Sequence, residues 1–270
     1  MQNKKTMINV VAIILTLFSC TNRDTTIDKS KLLGSDYRLF QNTPAWELAK
    51  SVEDGDTNSI RLAAKKNKGL IDYREPVYGQ TLLKIAVYNR NYNSVKALLE
   101  SGADPNKQDT HDKMSALMVA AGLGQDGIVP PYGNAEPRYL KILLKYGGDP
   151  NAGQKELKLN VDSTFFTPLL LACRSGILEY VKILVDAGAD VNLGKVGYNA
   201  LDQATVSENP NIVMYLLEKG ADFRQPLYTN VKGEKKYLLD ALSIWHFKKG
   251  SEEYKKQMEI IKFLRDKGIN

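Results

Sequence analysis

The chain is poor in reactive side chains: its 270 residues include two cysteines, two histidines and two tryptophans. Two cysteines build no disulfide framework. Cys173 lies in the apolar block "LLLACRSG", where a free cysteine packs as a small hydrophobe. Neither His111 nor His246 stands in the sequence where it would serve Cys173 as a base. A long hydrophobic run is also missing. The most apolar stretch, residues 7–18, is shorter than the roughly 20 residues that a membrane-spanning helix needs.

Signatures of cofactor and metal sites occur only in outline. "GLGQDG" (Gly122, Gly124, Gly127) has the G-x-G-x-x-G spacing, but it follows a helical pattern and runs into Ile128-Val129-Pro130-Pro131, not from a strand into a helix. "DGDTN" (Asp54, Asp56, Asn58) begins like a calcium loop, yet Ser59 stands at the glycine position and Lys65 where the bidentate glutamate belongs. Glu252 and Glu253 are adjacent, so on a helix they point apart, and they suit the positive end of its dipole. No catalytic, cofactor-binding or metal residue is assigned, and no cofactor is expected.

What the chain has is repetition. In "TPLLLACRSGILEYVKILVDAGADVN" (residues 167–192) two apolar blocks flank Arg174-Ser175-Gly176. The spacing predicts two short antiparallel helices, started by a capping threonine and a first-turn proline and ended at Gly188. Neither is long enough to stand alone in water. The pattern recurs with the same offsets in residues 79–106 (Thr81, Leu83, Ala86, Leu98, Gly102, Asn106) and 198–222 (Leu201, Ala204, Leu216, Gly220). A split copy has its first helix in residues 114–124 and its second in residues 138–151. Weaker copies flank these: residues 46–64, with Ala63-Ala64 replacing the leucine pair, and residues 237–268, where both helices are expected to be longer. Atypical end copies suit a solenoid, whose terminal units show one face to water.

The chain therefore resembles an ankyrin-repeat protein, whose pattern is T-P-L-H-x-A at about 33 residues. The expected fold is an all-α ankyrin-repeat solenoid of about six stacked helix-turn-helix units with short hairpin turns. The domain covers residues 43–270, with units at about 43–77, 78–109, 110–160, 161–195, 196–229 and 230–270. The family histidine is replaced by Lys84, Met118, Leu170 and Asp202. The resemblance implies that a partner docks along the concave side made by turn tips and first helices.

The N-terminus "MQNKKTMINVVAIILTLFSC" puts two lysines before the apolar run and Cys20 after it. It reads as a secretory signal over residues 1–19, and its end resembles a bacterial lipobox that leaves Cys20 as a lipidated N-terminus. An ordinary signal peptide with a chance cysteine is the alternative. Residues 20–42 are expected to be the lipidated cysteine and a polar tether. The protein is then exported and lipid-anchored, with the outer membrane favoured over the inner because Thr21 is not aspartate.

The net charge of +6 lies in two places: Lys4 and Lys5 in the signal, and residues 227–270, with ten Lys and Arg against six Asp and Glu. That surplus reads as a solvated cap. A nucleic-acid partner is not expected, since that role needs a basic stripe with stacking aromatics and access to nucleic acid, and an exported chain normally has no such access. Candidate partner-binding residues are Tyr78, His111, Tyr198 and Tyr228 at turn tips, Tyr88 and Arg174 on first helices, and Tyr132 in the proline-rich insertion of residues 123–137. Residues 152–166 form a second insertion, with Leu157, Leu159 and Val161 alternating as in a hairpin strand. The favoured reading is a monomeric, non-enzymatic protein-interaction scaffold in the bacterial envelope, with an immunity-type or regulatory protein as one form. The rival is an enzyme or small-ligand binder built on the two insertions.

Overall fold

A computed structural model describes residues 23–25, 27–122, 136–153 and 166–269. Among them lie six consecutive helix pairs: α1 (Trp46–Asp54) with α2 (Thr57–Lys66), α3 (Leu82–Tyr88) with α4 (Tyr92–Glu100), and α5 (Ala116–Gly122) with α6 (Pro137–Lys145). The series continues with α7 (Pro168–Ser175) and α8 (Leu178–Asp186), α9 (Ala200–Val206) and α10 (Pro210–Glu218), and α11 (Leu238–Ser243) and α12 (Glu252–Asp266). Strands are confined to one ribbon in the described part, β1 (Tyr228–Thr229) paired antiparallel with β2 (Lys235–Lys236).

Local chemistry starts and stops these helices. The hydroxyls of Thr81, Ser115 and Thr167 accept from amides three residues on, of Lys84 (3.3 Å), Met118 (3.2 Å) and Leu170 (3.1 Å). Each satisfies a donor that the first helical turn leaves free. Pro137, Pro168 and Pro210 occupy first-turn positions where no amide is needed. At the other end the second helices close alike: the amides of Ala103, Gly148, Ala189, Ala221 and Ile269 donate to the carbonyls of Leu98, Leu143, Leu184, Leu216 and Leu264 at 2.9–3.0 Å. The reversal passes through a left-handed residue such as Gly188 (φ 93°), a backbone that a side chain disfavours.

The pairs stack in two layers. First helices pack on first helices, from α3 through α5, α7 and α9 to α11, and second helices on second helices. Leu83, Leu117, Leu169 and Leu201 line the shared spine and are buried, as are Ala86, Ala120, Ala172 and Ala204. Cys173 is buried in the same layer as Val87 and Ala121, and burial pushes its thiol far above the ordinary range, which leaves it unreactive. Asparagines in three successive turns tie the second unit to the third, the third to the fourth and the fourth to the fifth. The Asn106 side chain donates to Gly147 O and accepts from Asp149 N, both 2.8 Å. Asn151 does the same with Gly188 and Asp190, and Asn192 with Gly220 and Asp222. At the first junction Asp72 takes this place and accepts from Asp104 N at 3.1 Å.

Two expectations are corrected. In the last unit only the second helix is long: α12 has fifteen residues, but α11 has six. The Gln257 side chain of α12 donates to Leu242 O at 2.7 Å and so satisfies a carbonyl where α11 ends. The second correction concerns residues 20–42. Their described part is not a free tether but a cap on the first unit: short 3-10 turns at Lys29–Lys31 and Tyr37–Phe40 bury Tyr37, Leu39 and Phe40 against α1. No repeat precedes the first unit among the described residues, and the apolar side chains of this segment cover its first helix instead. Cys20, residues 1–19, and most of the two insertions (123–135 and 154–165, including Tyr132 and the alternating Leu157, Leu159 and Val161) lie outside the described residues.

Phe40 is 0% exposed. Phe40→Ala is expected to lower the unfolding free energy by about 3–5 kcal/mol, the cost of emptying a fully packed aromatic site. A urea titration reads it; a tether residue at this position would change nothing.

Candidate functional site

First helices and the turns before them form a face on which two hollows gather sequence candidates among the described residues. The first, about 410 Å³, is lined by Tyr78, Lys84 and Tyr88 of the second unit, His111, Asp112, Met114 and Met118 of the third, Leu171 of the fourth, and residues 32–35 of the N-terminal cap. Three sequence candidates thus meet in one place. Tyr78 and His111 stack edge to face at 5.4 Å. The Tyr78 hydroxyl donates to Leu32 O at 3.0 Å, and the Asn89 side chain to Ser35 O at 2.8 Å, so the cap forms one wall. Gly34 passes so close to Gln80 that a Cβ would lie 2.5 Å from its amide nitrogen.

Below the aromatics lies a charged cluster. Lys84, where the family has histidine, is 4% exposed and pairs with Asp109 and, at 3.0 Å, with Asp112. Asp109 Oδ1 also accepts from the amides of His111 and Asp112 (2.8 Å each) and Lys113 (3.2 Å). Burial opposes ionisation of Asp109, but the bond with Asp112 and the Lys84 ammonium outweigh it and hold its carboxyl below the usual range. Burial and the neighbouring Asp109 push Asp112 up, against the pull of Lys84. Two carboxylates around one ammonium leave the hollow with acidic character, and Asp112 is the acid open to water.

The second hollow, about 290 Å³, lies between the fifth and sixth units and is lined by Asp202, Thr205, Val206, Glu208, Tyr228 and Trp245 among others. Asp202, again at the histidine position, closes a reciprocal cap with Asn199: its amide donates to Asn199 Oδ1 (2.9 Å), and its carboxylate accepts from Asn199 N (3.2 Å). Burial pushes its carboxyl up to about 7 despite those amide bonds.

Two further candidates stand elsewhere. Arg174 lies over the Phe166 ring at 5.8 Å, and Tyr198 meets the Lys195 ammonium at 5.2 Å. Tyr132 is outside the described residues. Sequence reasoning did not select Asp112, Met114, Met118 or the cap wall of the first hollow, nor Trp245 and Asp202 of the second. A charge at a position that elsewhere is apolar was the usable signal for Lys84 and Asp202. For the cap wall there was none.

The family profile of ankyrin repeats in three copies matches residues 18–109 and 132–226. Among similar proteins, the ankyrin repeat protein FPV014 of fowlpox virus is 29% identical over 147 residues, 54% of this chain and 29% of its own. Protein PhlB of Serratia liquefaciens is 33% identical over 166 residues, covering 61% of this chain and 63% of its own. The nuclear factor NF-kappa-B p105 subunit of Gallus gallus is 31% identical over 162 residues, 59% and 15% respectively. The chain spans less than two thirds of the length of each of these relatives.

Because the folded-state carboxyl of Asp202 titrates near 7 and an unfolded one near 3.8, the unfolded chain holds fewer protons between those values. Stability from this group is therefore present below about pH 4 and lost as pH rises through 7. Asp202→Asn, which keeps an oxygen to cap α9, is expected to match the wild type near pH 4 and to melt higher by a few degrees at pH 8, on the order of 2–4 °C per kcal/mol. Melting curves at the two pH values check this.

Proposed function

The chain belongs to the ankyrin-repeat family, and from that premise we propose that it is a monomeric, non-enzymatic scaffold that takes a protein partner on the hollow of Tyr78, Tyr88 and His111. In this reading lipid on Cys20 holds it at a bacterial envelope membrane, the outer in preference to the inner. An immunity-type or regulatory binding protein is its specialised form. The observation that carries the docking reading is convergence. Aromatic side chains from three different turns and helices gather over Met114 and Met118, with a volume within the range of about 300–1000 Å³ that binding sites occupy. Tyrosine supplies large contact area at little entropic cost, and methionine adapts to what it meets.

The anchor reading is supported by the lysine-led apolar run that ends at Cys20 and by the likeness to a bacterial chain, PhlB. The docked cap adds a distance. Arg23 pairs with Glu53 (3.1 Å) and Asp54 (2.8 Å) at the end of α1, and three residues of extended chain reach about 11 Å. In this reading at most that length of chain separates the lipidated Cys20 from Arg23.

Crosslinking on intact cells, followed by affinity purification from membranes, tests both parts. The wild type is expected to retain a defined partner, and the double variant Tyr88→Ala with His111→Ala to lose it about tenfold or more, as truncation of two interface anchors does. A chain with no specific crosslink, or a partner indifferent to the double variant, contradicts the docking reading. Cys20→Ser is expected to move the chain from the membrane to the soluble fraction; retention at the membrane contradicts the anchor.

A further inference from the structure

Removing a carboxylate from water is costly unless something charged or polar replaces the water. In the second hollow the replacement is incomplete. Asp202 is 4% exposed and is met by backbone amides, and the charged residues lining the cavity are two acids, Asp202 and Glu208. No lysine or arginine lines it among the described residues. The first hollow solved the same problem differently, with Lys84 supplied by the chain itself.

The rest of the cavity has a shape and chemistry of its own. Tyr228 projects from the ribbon that opens the sixth unit, and Trp245 follows the end of α11. On the rim, Val206 is 73% and Ile244 61% exposed, two large aliphatic side chains left in water beside each other's hollow. Exposed apolar groups gathered around a polar centre mark a contact surface, not idle exterior. At about 290 Å³ the cavity holds one long side chain but no folded element.

We propose that this cavity receives the cation of an arginine or lysine side chain carried by a docked protein partner, with the alkyl stem against Val206, Ile244 and Trp245 and the charged head at Asp202. Long basic side chains carry an apolar stem and a charged tip, which matches an apolar rim around an acidic floor. Tyr228 and Trp245 add ring faces that attract cations. The inference takes its cation from a docked protein and so rests on the docking reading for its source. Its chemistry is independent of the first hollow.

The test uses the full chain labelled with fluorotryptophan, in which Trp245 reports on the cavity and Trp46, on α1, serves as internal control. The probes are the peptide Ac-Leu-Arg-Leu-NH2, its citrulline counterpart of equal shape without charge, and free agmatine. The expected result is a saturable shift of the Trp245 fluorine signal with the arginine peptide and at least tenfold weaker binding of the citrulline peptide. The response should vanish in Asp202→Asn and weaken several-fold in Tyr228→Ala, whose side chain is on an exposed ribbon and whose loss does not threaten the fold. Equal binding of arginine and citrulline peptides overturns the proposal, as does an Asp202→Asn response like that of the wild type. Agmatine binding more tightly than the arginine peptide also overturns it, by assigning the cavity to a free cation. A Trp245 response in a chain that crosslinks no partner in cells removes the docking reading and leaves the cation chemistry intact; a crosslinked partner with no Trp245 response removes the cation site alone.

Discussion

No helix pair in this chain can cover its own apolar faces, and everything else follows from that. Helices of seven to nine residues are too short to persist in water. They persist here because each pair buries its leucines against the next, through a spine of first helices and a parallel layer of second helices. The asparagine bridges at the three central turns fix the spacing there, since each side chain both donates to and accepts from the following unit. Burial drives the stacking, and the bridges set its register.

A stack of this kind has two ends, and the chain treats them differently. At the N-terminal end a segment outside the repeats covers the first unit with Tyr37, Leu39 and Phe40. At the C-terminal end the last second helix runs to fifteen residues and is rich in lysine and glutamate, a polar surface made from within the repeat. The N-terminal solution has a second effect: the same segment continues to Tyr78 and Asn89, so it is also a wall of the first hollow. Stability of the first unit and shape of the hollow are thereby carried by one piece of chain.

A regular lattice makes its exceptions informative. At one recurring position the four central units carry Lys84, Met118, Leu170 and Asp202. Two are apolar and belong to the packing. The other two place a charge where burial penalises it, and the structure meets each penalty in its own way. Lys84 is neutralised by Asp109, itself held by three amides, and Asp112. Asp202 is held by amides, with no counter-ion lining its hollow among the described residues, and its carboxyl rises toward neutrality. Charges are expensive to keep in such places, so where they lie is a better guide to recognition than the repeat itself.

The sequence by itself determined the architecture. The offsets of Leu83, Leu117, Leu169 and Leu201, the threonine caps and the closing glycines are local or periodic signals, and helix pairing and stacking order follow from them. Tyr78, Tyr88 and His111 were also legible as aromatics of the turns and first helices, because a position in the repeat says on which side of the stack a side chain lies, although Tyr78 and Tyr88 prove half-buried against the core. Their meeting in one hollow was not, since it depends on the rise and turn from one unit to the next. Nor was the role of residues 32–40, which have no period and gain their meaning only from packing on the first unit and beside the first hollow. Asp202 shows the same division in one residue. Its type and place in the helix can be read from the chain, but whether a cation stands near it depends on which side chains from the sixth unit close over it, and tertiary packing alone decides that.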